Sequence, residues 1–289
     1  MPQQITNFDN LTITSDFLFK HIMQRKRICK HLLEEALQTK IADITYLESE
    51  QTLDVYPDSR GIRLDIKLTD DNGTHYNLEM QVKNTINSNT GNSLLPKRTR
   101  YYQAMLDTDM LQKGQDFDAL APTYIIFICP FDFLQDNQRI YTFKKRCLEN
   151  LDLELADEAT IMFLNTTGTK GNVSNDIQSF YDYINNNTIT SNFTQEIANT
   201  IINIKNDKKV RNAYMTYEMR MKDLRNEAFA EGEANGLAKG LAKGETKGKL
   251  EYIKNLMSSM NISIDKAMDI LKTPPEERQQ YKDFLAKGV

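Results

Sequence analysis

Residues 61–68 (GIRLDIKL) and 74–82 (THYNLEMQV) alternate apolar and polar side chains, and a short Asp-Asn-Gly run separates them. A period of two is the pattern of a β-hairpin with one buried and one polar face. On the first strand Ile62, Leu64, Ile66 and Leu68 form the apolar side, so Arg63, Asp65 and Lys67 share the other. On the second, Tyr76, Leu78, Met80 and Val82 are apolar, leaving His75, Asn77, Glu79 and Gln81 opposite, with Lys83 just beyond. Directly opposed residues of an antiparallel pair project from the same side, so the turn decides how the faces meet. A two-residue Asn-Gly loop pairs Asp71 with Thr74 and sets Asp65 against Met80, which mixes the faces. A three-residue loop of Asp71, Asn72 and Gly73, with the glycine in the left-handed position of a G1 bulge, pairs Asp70 with Thr74. Asp65 then faces Glu79, Arg63 faces Gln81, Lys67 faces Asn77, and both apolar faces align.

Two carboxylates in that relation have Cβ atoms about 5 Å apart, and like charges so placed destabilise a sheet. A divalent cation between them removes the penalty. Magnesium takes oxygen ligands and is held by one or two carboxylates together with waters and a substrate phosphate. Such an ion polarises a phosphodiester and lowers the pKa of an attacking water. The pattern equally describes the solvent face of an ordinary hairpin in which Arg63, Lys67 and Lys83 neutralise Asp65 and Glu79. Spacing alone leaves both readings open.

Around the hairpin, residues 14–37 carry apolar side chains at helical spacing, with Ser15 and Asp16 able to cap the start, and predict one long helix or two short ones. Residues 52–56 add a third antiparallel strand. A helix follows over 96–110, and the apolar run TYIIFIC at 123–129 predicts a buried strand, so the strand, helix, strand order implies a right-handed crossover. Residues 142–151 are expected to be helical or irregular, and 159–164 to form a further strand. An amphipathic helix is expected at 174–184, an Asn-rich break at 185–192, and one or two helices over 193–230.

Gly232, Gly236, Gly240, Gly244 and Gly248 then recur at every fourth residue. Each costs a helix about 1 kcal/mol relative to alanine. The segment reads either as a helix whose bare stripe lets a second copy approach closely or as a semi-flexible linker. Two short helices, at 263–271 and 274–285, close the chain. A homo-oligomer formed through these C-terminal helices is the expected partner arrangement.

No segment approaches the roughly 18 apolar residues of a membrane span, and the start of the sequence has no basic or apolar leader, so a cytoplasmic protein without a membrane partner is expected. Cys29, Cys129 and Cys147 lack any CxxC spacing, which argues against disulfides and structural zinc. The net charge of −4 argues against a protein that coats nucleic acid and confines such contacts to local basic patches, of which 25–30, 96–100 and 144–146 are candidates. His21, His31 and His75 form no cluster at metal-ligand spacing.

The segments RLDIKL and YNLEMQ resemble the core of the recombination-promoting nuclease and transposase family, a branch of the PD-(D/E)XK nucleases. SDFLFK near the start, KRTRYYQ at 97–103, KGQDFDAL at 113–120, YIIFIC, FYDYI and the glycine-punctuated tail agree in order. The likeness implies an α/β fold, with a restriction-endonuclease-like mixed sheet flanked by helices over 1–170. A helical extension at 171–230, the glycine segment at 231–249 and a helical pair at 250–289 follow.

It also implies that Asp65 is the first metal-binding acid and Glu79 the second. Gln81 stands where the usual motif has lysine, so it can orient a water by hydrogen bonds but supplies no charge. Lys67 and Lys83 are candidates to replace that charge. In related nucleases an acid of the first helix sometimes joins the metal, and Glu34 and Glu35 are the candidates here. Arg98, Arg100 and Tyr102, on the helix after the hairpin, are placed to reach a scissile phosphate; simple core packing is the alternative for Tyr102. The implied activity is a Mg2+ (or Mn2+) dependent DNA endonuclease linked to recombination or mobile elements. The alternatives are an RNA-directed nuclease with the same metal chemistry, and a catalytically inactive interaction protein on the same fold.

Overall fold

The computed structural model describes residues 7–47, 65–111 and 113–286 in full, and 52–53 and 62–63 as backbone. The chain divides into two compact units, Met1–Met215 and Thr216–Val289.

The first unit opens with two helices rather than one, α1 (Asp16–Met23) and α2 (Lys26–Leu37). Ser15 is the N-cap of α1, and α2 stops where Gln38 takes a left-handed conformation with φ 53°. The short strands β1 (Ile44–Tyr46), β2 (Thr52–Leu53) and β3 (Ile62–Arg63) precede the hairpin of β4 (Ile66–Asp70) and β5 (His75–Met80). The expected strand 61–68 is therefore interrupted: β3 pairs with β2 in a small sheet of its own, and β4 joins the main sheet. The remainder of the expected strand 52–56 and the contacts of the Arg63 side chain lie outside the described residues.

Helix α3 (Leu95–Met110), started by a proline in its first turn, connects β5 to β6 (Thr123–Cys129). The strands β7 (Ile140–Phe143) and β8 (Ala159–Asn165) complete a mixed six-stranded sheet of order β1-β4-β5-β6-β8-β7. Strands β5, β6 and β8 run parallel, while β1, β4 and β7 pair antiparallel to their neighbours. The strand at Ile140–Phe143 begins upstream of the expected helical or irregular stretch at 142–151 and overlaps its start. It is a short edge strand, half-buried or exposed, which leaves little hydrophobic signal to read.

Helices flank the sheet. Leu95, Tyr102, Met105 and Leu106 of α3 pack on Ile125, Phe127 and Cys129 of β6 and on Phe163 of β8. The alternate residues Ile126, Ile128, Met162 and Leu164 are buried on the opposite face. The register Leu78 to Ile126 and Glu79 to Phe127 carries this division across to β5. Leu78 thus lies on the second face, and Glu79 lies on the face that α3 covers. Helices α4 (Asn175–Asn186) and α5 (Asn192–Asn206) follow, the first capped by the Ser174 side chain and the second by a Ser191/Thr194 capping box.

Helix α6 (Lys208–Met260) is continuous through all five glycines of the repeat, so the segment is helical. Within the second unit its C-terminal part meets α7 (Ile264–Ile270) and α8 (Pro275–Ala286). Leu250, Ile253, Ala267, Met268 and Tyr281 form the small core between them. Upstream of that core, Phe229, Leu237 and Leu241 are exposed along the helix. No helix of the described residues is long and apolar enough to cross a membrane.

Candidate metal centre

The turn of the β4–β5 hairpin is the three-residue loop that the matching of faces requires. Asp70 N–H donates to Thr74 O at 3.1 Å, Gly73 N–H donates to Asp70 O at 3.1 Å, and Gly73 holds φ +81°. The Asp70 carboxylate braces the loop by accepting from the N–H groups of Asn72 and Thr74, each at 2.9 Å. The pairs Ile66 to Leu78 and Lys67 to Asn77 follow. One step further the same register brings Asp65, at the entrance to β4, across from Glu79.

The two residues are joined as well as opposed. Asp65 N–H donates to Glu79 Oε1 at 2.9 Å, and Met80 N–H donates to Asp65 Oδ2 at 3.2 Å. Glu79 is 2% exposed, and the Asp65 side chain is 16% exposed. Burial, reinforced by the charge of Asp65, raises the Glu79 carboxyl well above the usual carboxylate range. Burial raises Asp65 in the same direction, against the pull of Lys20. The fully buried Asn77 can donate its amide to Glu79 Oε1 and to Ile66 O, both at 3.2 Å, with the amide turned that way. The centre of the site is thus a pair of carboxylates whose charge is disfavoured chiefly by burial.

Two cations stand at its edges. From α1, Lys20 Nζ lies 3.9 Å from Asp65 Oδ1, and the charge of Asp16 also acts on Asp65. From α3, Arg98 Nη2 donates to Glu79 Oε2 at 3.1 Å and Arg98 Nη1 donates to Gln81 Oε1 at 2.5 Å. Arg98 Nε donates to the Tyr102 hydroxyl at 2.7 Å, and the guanidinium lies 5.4 Å from the ring centre of Phe127. The Gln81 amide is held at both ends, since Nε2 donates to Lys83 O at 2.5 Å. Tyr102 takes the core-packing alternative: its ring belongs to the core under α3, and its hydroxyl receives Arg98. Burial and the charge of Glu79 push that hydroxyl up to about 12.

The other candidates lie apart. Lys67 is drawn to Asp109 at the far end of α3, and the side chains of Lys83 and Arg100 are exposed. Glu34 accepts from Ile41 N–H at 3.0 Å and holds the end of α2. Glu35 lines a separate recess with Gln38, Lys40 and Asn172. The residues of the first helical segment that do reach the site are Asp16 and Lys20. Their signal lay within SDFLFK: two charged residues four apart share one face of a helix.

Among the described residues no group of three His, Cys, Asp or Glu is arranged to hold a metal ion. The carboxylate pair nevertheless fits a hard divalent cation, which needs one or two carboxylates and completes its shell with water. Residues 13–230 match the family model described as PD-(D/E)XK nuclease family transposase. Neither the curated proteins nor the solved structures contain a significant match. The match spans well over half of the chain and includes the hairpin, α3 and the whole sheet. The mixed six-stranded sheet with its flanking helices agrees with it: the chain belongs to the PD-(D/E)XK nuclease family transposases.

Proposed function

We propose that the chain is a Mg2+ (or Mn2+) dependent DNA endonuclease, with Asp65 and Glu79 holding the metal. The observation that carries this reading is the pair of opposed, largely buried carboxylates, which burial raises although Lys20 and Arg98 stand at their edges. A bound divalent ion supplies Lewis acidity toward the phosphodiester and a more acidic water. The protein's own part is to hold the acids. Asp65 N–H and Arg98 fix the Glu79 carboxylate, and Met80 N–H fixes that of Asp65. Because these donors come from the hairpin backbone and a packed helix, the acids are set before substrate arrives. Arg98, with its side chain 38% exposed, reaches solvent, and Asp65 at 16% is the more open of the two acids, which gives DNA its approach. A role in recombination or element movement and a cytoplasmic location are parts of the same proposal, as is association through the C-terminal helices.

Supercoiled plasmid incubated with Mg2+ or Mn2+ tests the reading. Nicking by wild type that disappears in Asp65→Ala is expected; equal nicking by both removes the site. A second reading, a nuclease-fold interaction protein without turnover, is favoured by the Gln81 amide, whose two ends are both engaged within the protein. It predicts no nicking with either metal and no calorimetric Mg2+ binding that depends on Asp65.

A further inference from the structure

Cleaving a phosphodiester builds negative charge on the phosphoryl oxygens and on the leaving oxygen, and a fixed cation beside the acid pair stabilises it. Gln81, the polar residue that follows Glu79 on the same side of the hairpin, carries no charge. Of the lysines near it, Lys67 is paired with Asp109, and Lys83 contributes its backbone carbonyl while its side chain points to solvent. Arg98 meets the requirement in three ways. Its guanidinium touches both Glu79 and Gln81, and it is seated by Tyr102 and Phe127. Its side chain is 38% exposed where that of Glu79 is 3%, so it spans from the buried acid to the surface. Four of its N–H donors are spent on Tyr102, Gln81 and Glu79, which leaves one of the guanidinium's five for a ligand.

We propose that Arg98 is the cation that meets the scissile phosphate, and that Gln81 is a positioning residue whose amide oxygen holds the guanidinium against Glu79. The inference rests on the nuclease reading of Asp65 and Glu79 and names which of the two cations at that site meets phosphate: Arg98, 38% exposed, rather than Lys20, 16% exposed beside Asp65. It also gives Gln81 a purpose: a neutral acceptor fixes an arginine without competing with it, whereas a lysine there would repel it. Since Gln81 Oε1 is 2.5 Å from Arg98 Nη1, an ammonium placed at position 81 would reach the region that the guanidinium occupies.

The experiment is a rescue. Wild type, Arg98→Gln, Gln81→Lys and the double variant Arg98→Gln/Gln81→Lys are compared for plasmid nicking, with thermal melting to verify folding and Asp65→Ala as the inactive control. Arg98→Gln is expected to lower kcat about 100-fold, with a far smaller change in KM. Adding Gln81→Lys is expected to return at least about tenfold of that loss, because it restores a charge at the same place. Gln81→Lys alone sets two cations together and is expected to be slower than wild type. A second readout is binding of a short duplex in Ca2+. Arg98→Gln is expected to reduce the salt slope by about one phosphate contact, and the double variant to restore it. If Arg98→Gln cleaves as well as or faster than wild type, or if the folded double variant recovers neither rate nor slope, the proposal is overturned. Absence of any Asp65-dependent nicking by wild type would instead refute the nuclease reading, and the binding measurement would still decide whether Arg98 meets phosphate.

Discussion

The backbone N–H of Asp65 donates to Oε1 of Glu79 at 2.9 Å, so the second acid of the pair grips the strand that carries the first. This bond holds the two carboxylates near one another although neither gains from the other's charge. Without a metal ion, the pair is a local instability maintained by the hairpin register and by Arg98.

Neutralising one acid should therefore stabilise the metal-free protein. In Asp65→Asn the side-chain oxygen can still accept from Met80 N–H, and removing a charge that burial disfavours and that raises Glu79 outweighs the lost attraction to Lys20 at 3.9 Å. The expected gain is on the order of 1 kcal/mol, read as a rise of about 2–4 °C in Tm. Mg2+ should reverse the order, since a ligand at about 100 times its Kd adds about 2.7 kcal/mol to the protein that binds it. Differential scanning calorimetry with and without Mg2+ checks both halves. Equal Mg2+ stabilisation of wild type and Asp65→Asn would place the metal elsewhere.

Lys20 competes with a metal ion for Asp65 Oδ1, from which its ammonium stands 3.9 Å away. Lys20→Met keeps an unbranched apolar stem and removes the charge. Tighter Mg2+ binding by several-fold is the expected result in isothermal titration calorimetry, the Coulomb attraction being damped by the partial exposure of both groups. Weaker binding would mean that Lys20 orders the site rather than opposing the ion.

Elsewhere in the first unit, Arg211 Nη2 donates to Asp9 Oδ1 at 2.7 Å and its guanidinium lies 4.9 Å from the ring centre of Phe8. Arg211 holds the Asp9 carboxyl below its ordinary value. A depressed carboxyl contributes stability above its unfolded pKa of about 3.9, and that stability fades as pH falls through the folded value. Wild type should therefore melt above Asp9→Asn at neutral pH, with the difference closing only below about pH 4. A difference that persists at pH 2.5 would assign it to hydrogen bonding without charge.

Thiol reactivity should follow burial. Cys29 and Cys129 are within 1% of complete burial, and desolvation pushes both thiols up to about 12, so the reactive thiolate is scarce as well as covered. Cys147 is only partly buried. Brief treatment of the native protein with iodoacetamide at pH 8 should label Cys147 first, as peptide mapping would show. Comparable labelling of Cys29 would contradict the packing of α2.

What the sequence disclosed depended on whether the information was local. The hairpin register could be derived because the turn, both apolar faces and both acids lie between Ile62 and Val82, and a single slip would bury charge. Gly73 is the residue on which that deduction turned, and it holds the positive φ required. The strand Thr123–Cys129 was readable because a parallel strand covered on both sides is apolar throughout. The edge strands Ile44–Tyr46 and Ile140–Phe143 were not, being short and half in water. Lys20 and Arg98 reach the acids only through the packing of α1 and α3, which local periodicity does not encode. For Arg98 the spacing gave half of the answer, since Arg98 and Tyr102 share a helical face that Arg100 does not.

The glycine repeat makes the last prediction. A Cβ added at Gly236 or Gly240 meets nothing within 4 Å, so alanine fits the helix at either position. In an isolated helix each change should stabilise by about 1 kcal/mol. If instead the bare stripe lies against a second copy of the chain, the added methyl groups hold the two backbones apart and association weakens. The exposed Phe229, Leu237 and Leu241 on the same stretch favour a covered helix, because water gains nothing from meeting them. Light scattering should then find an oligomer for the full chain, a smaller species after truncation before Gly232, and looser association in Gly236→Ala/Gly240→Ala despite a more helical circular dichroism spectrum. A double variant that is more helical and unchanged in mass would make the repeat a property of the single helix.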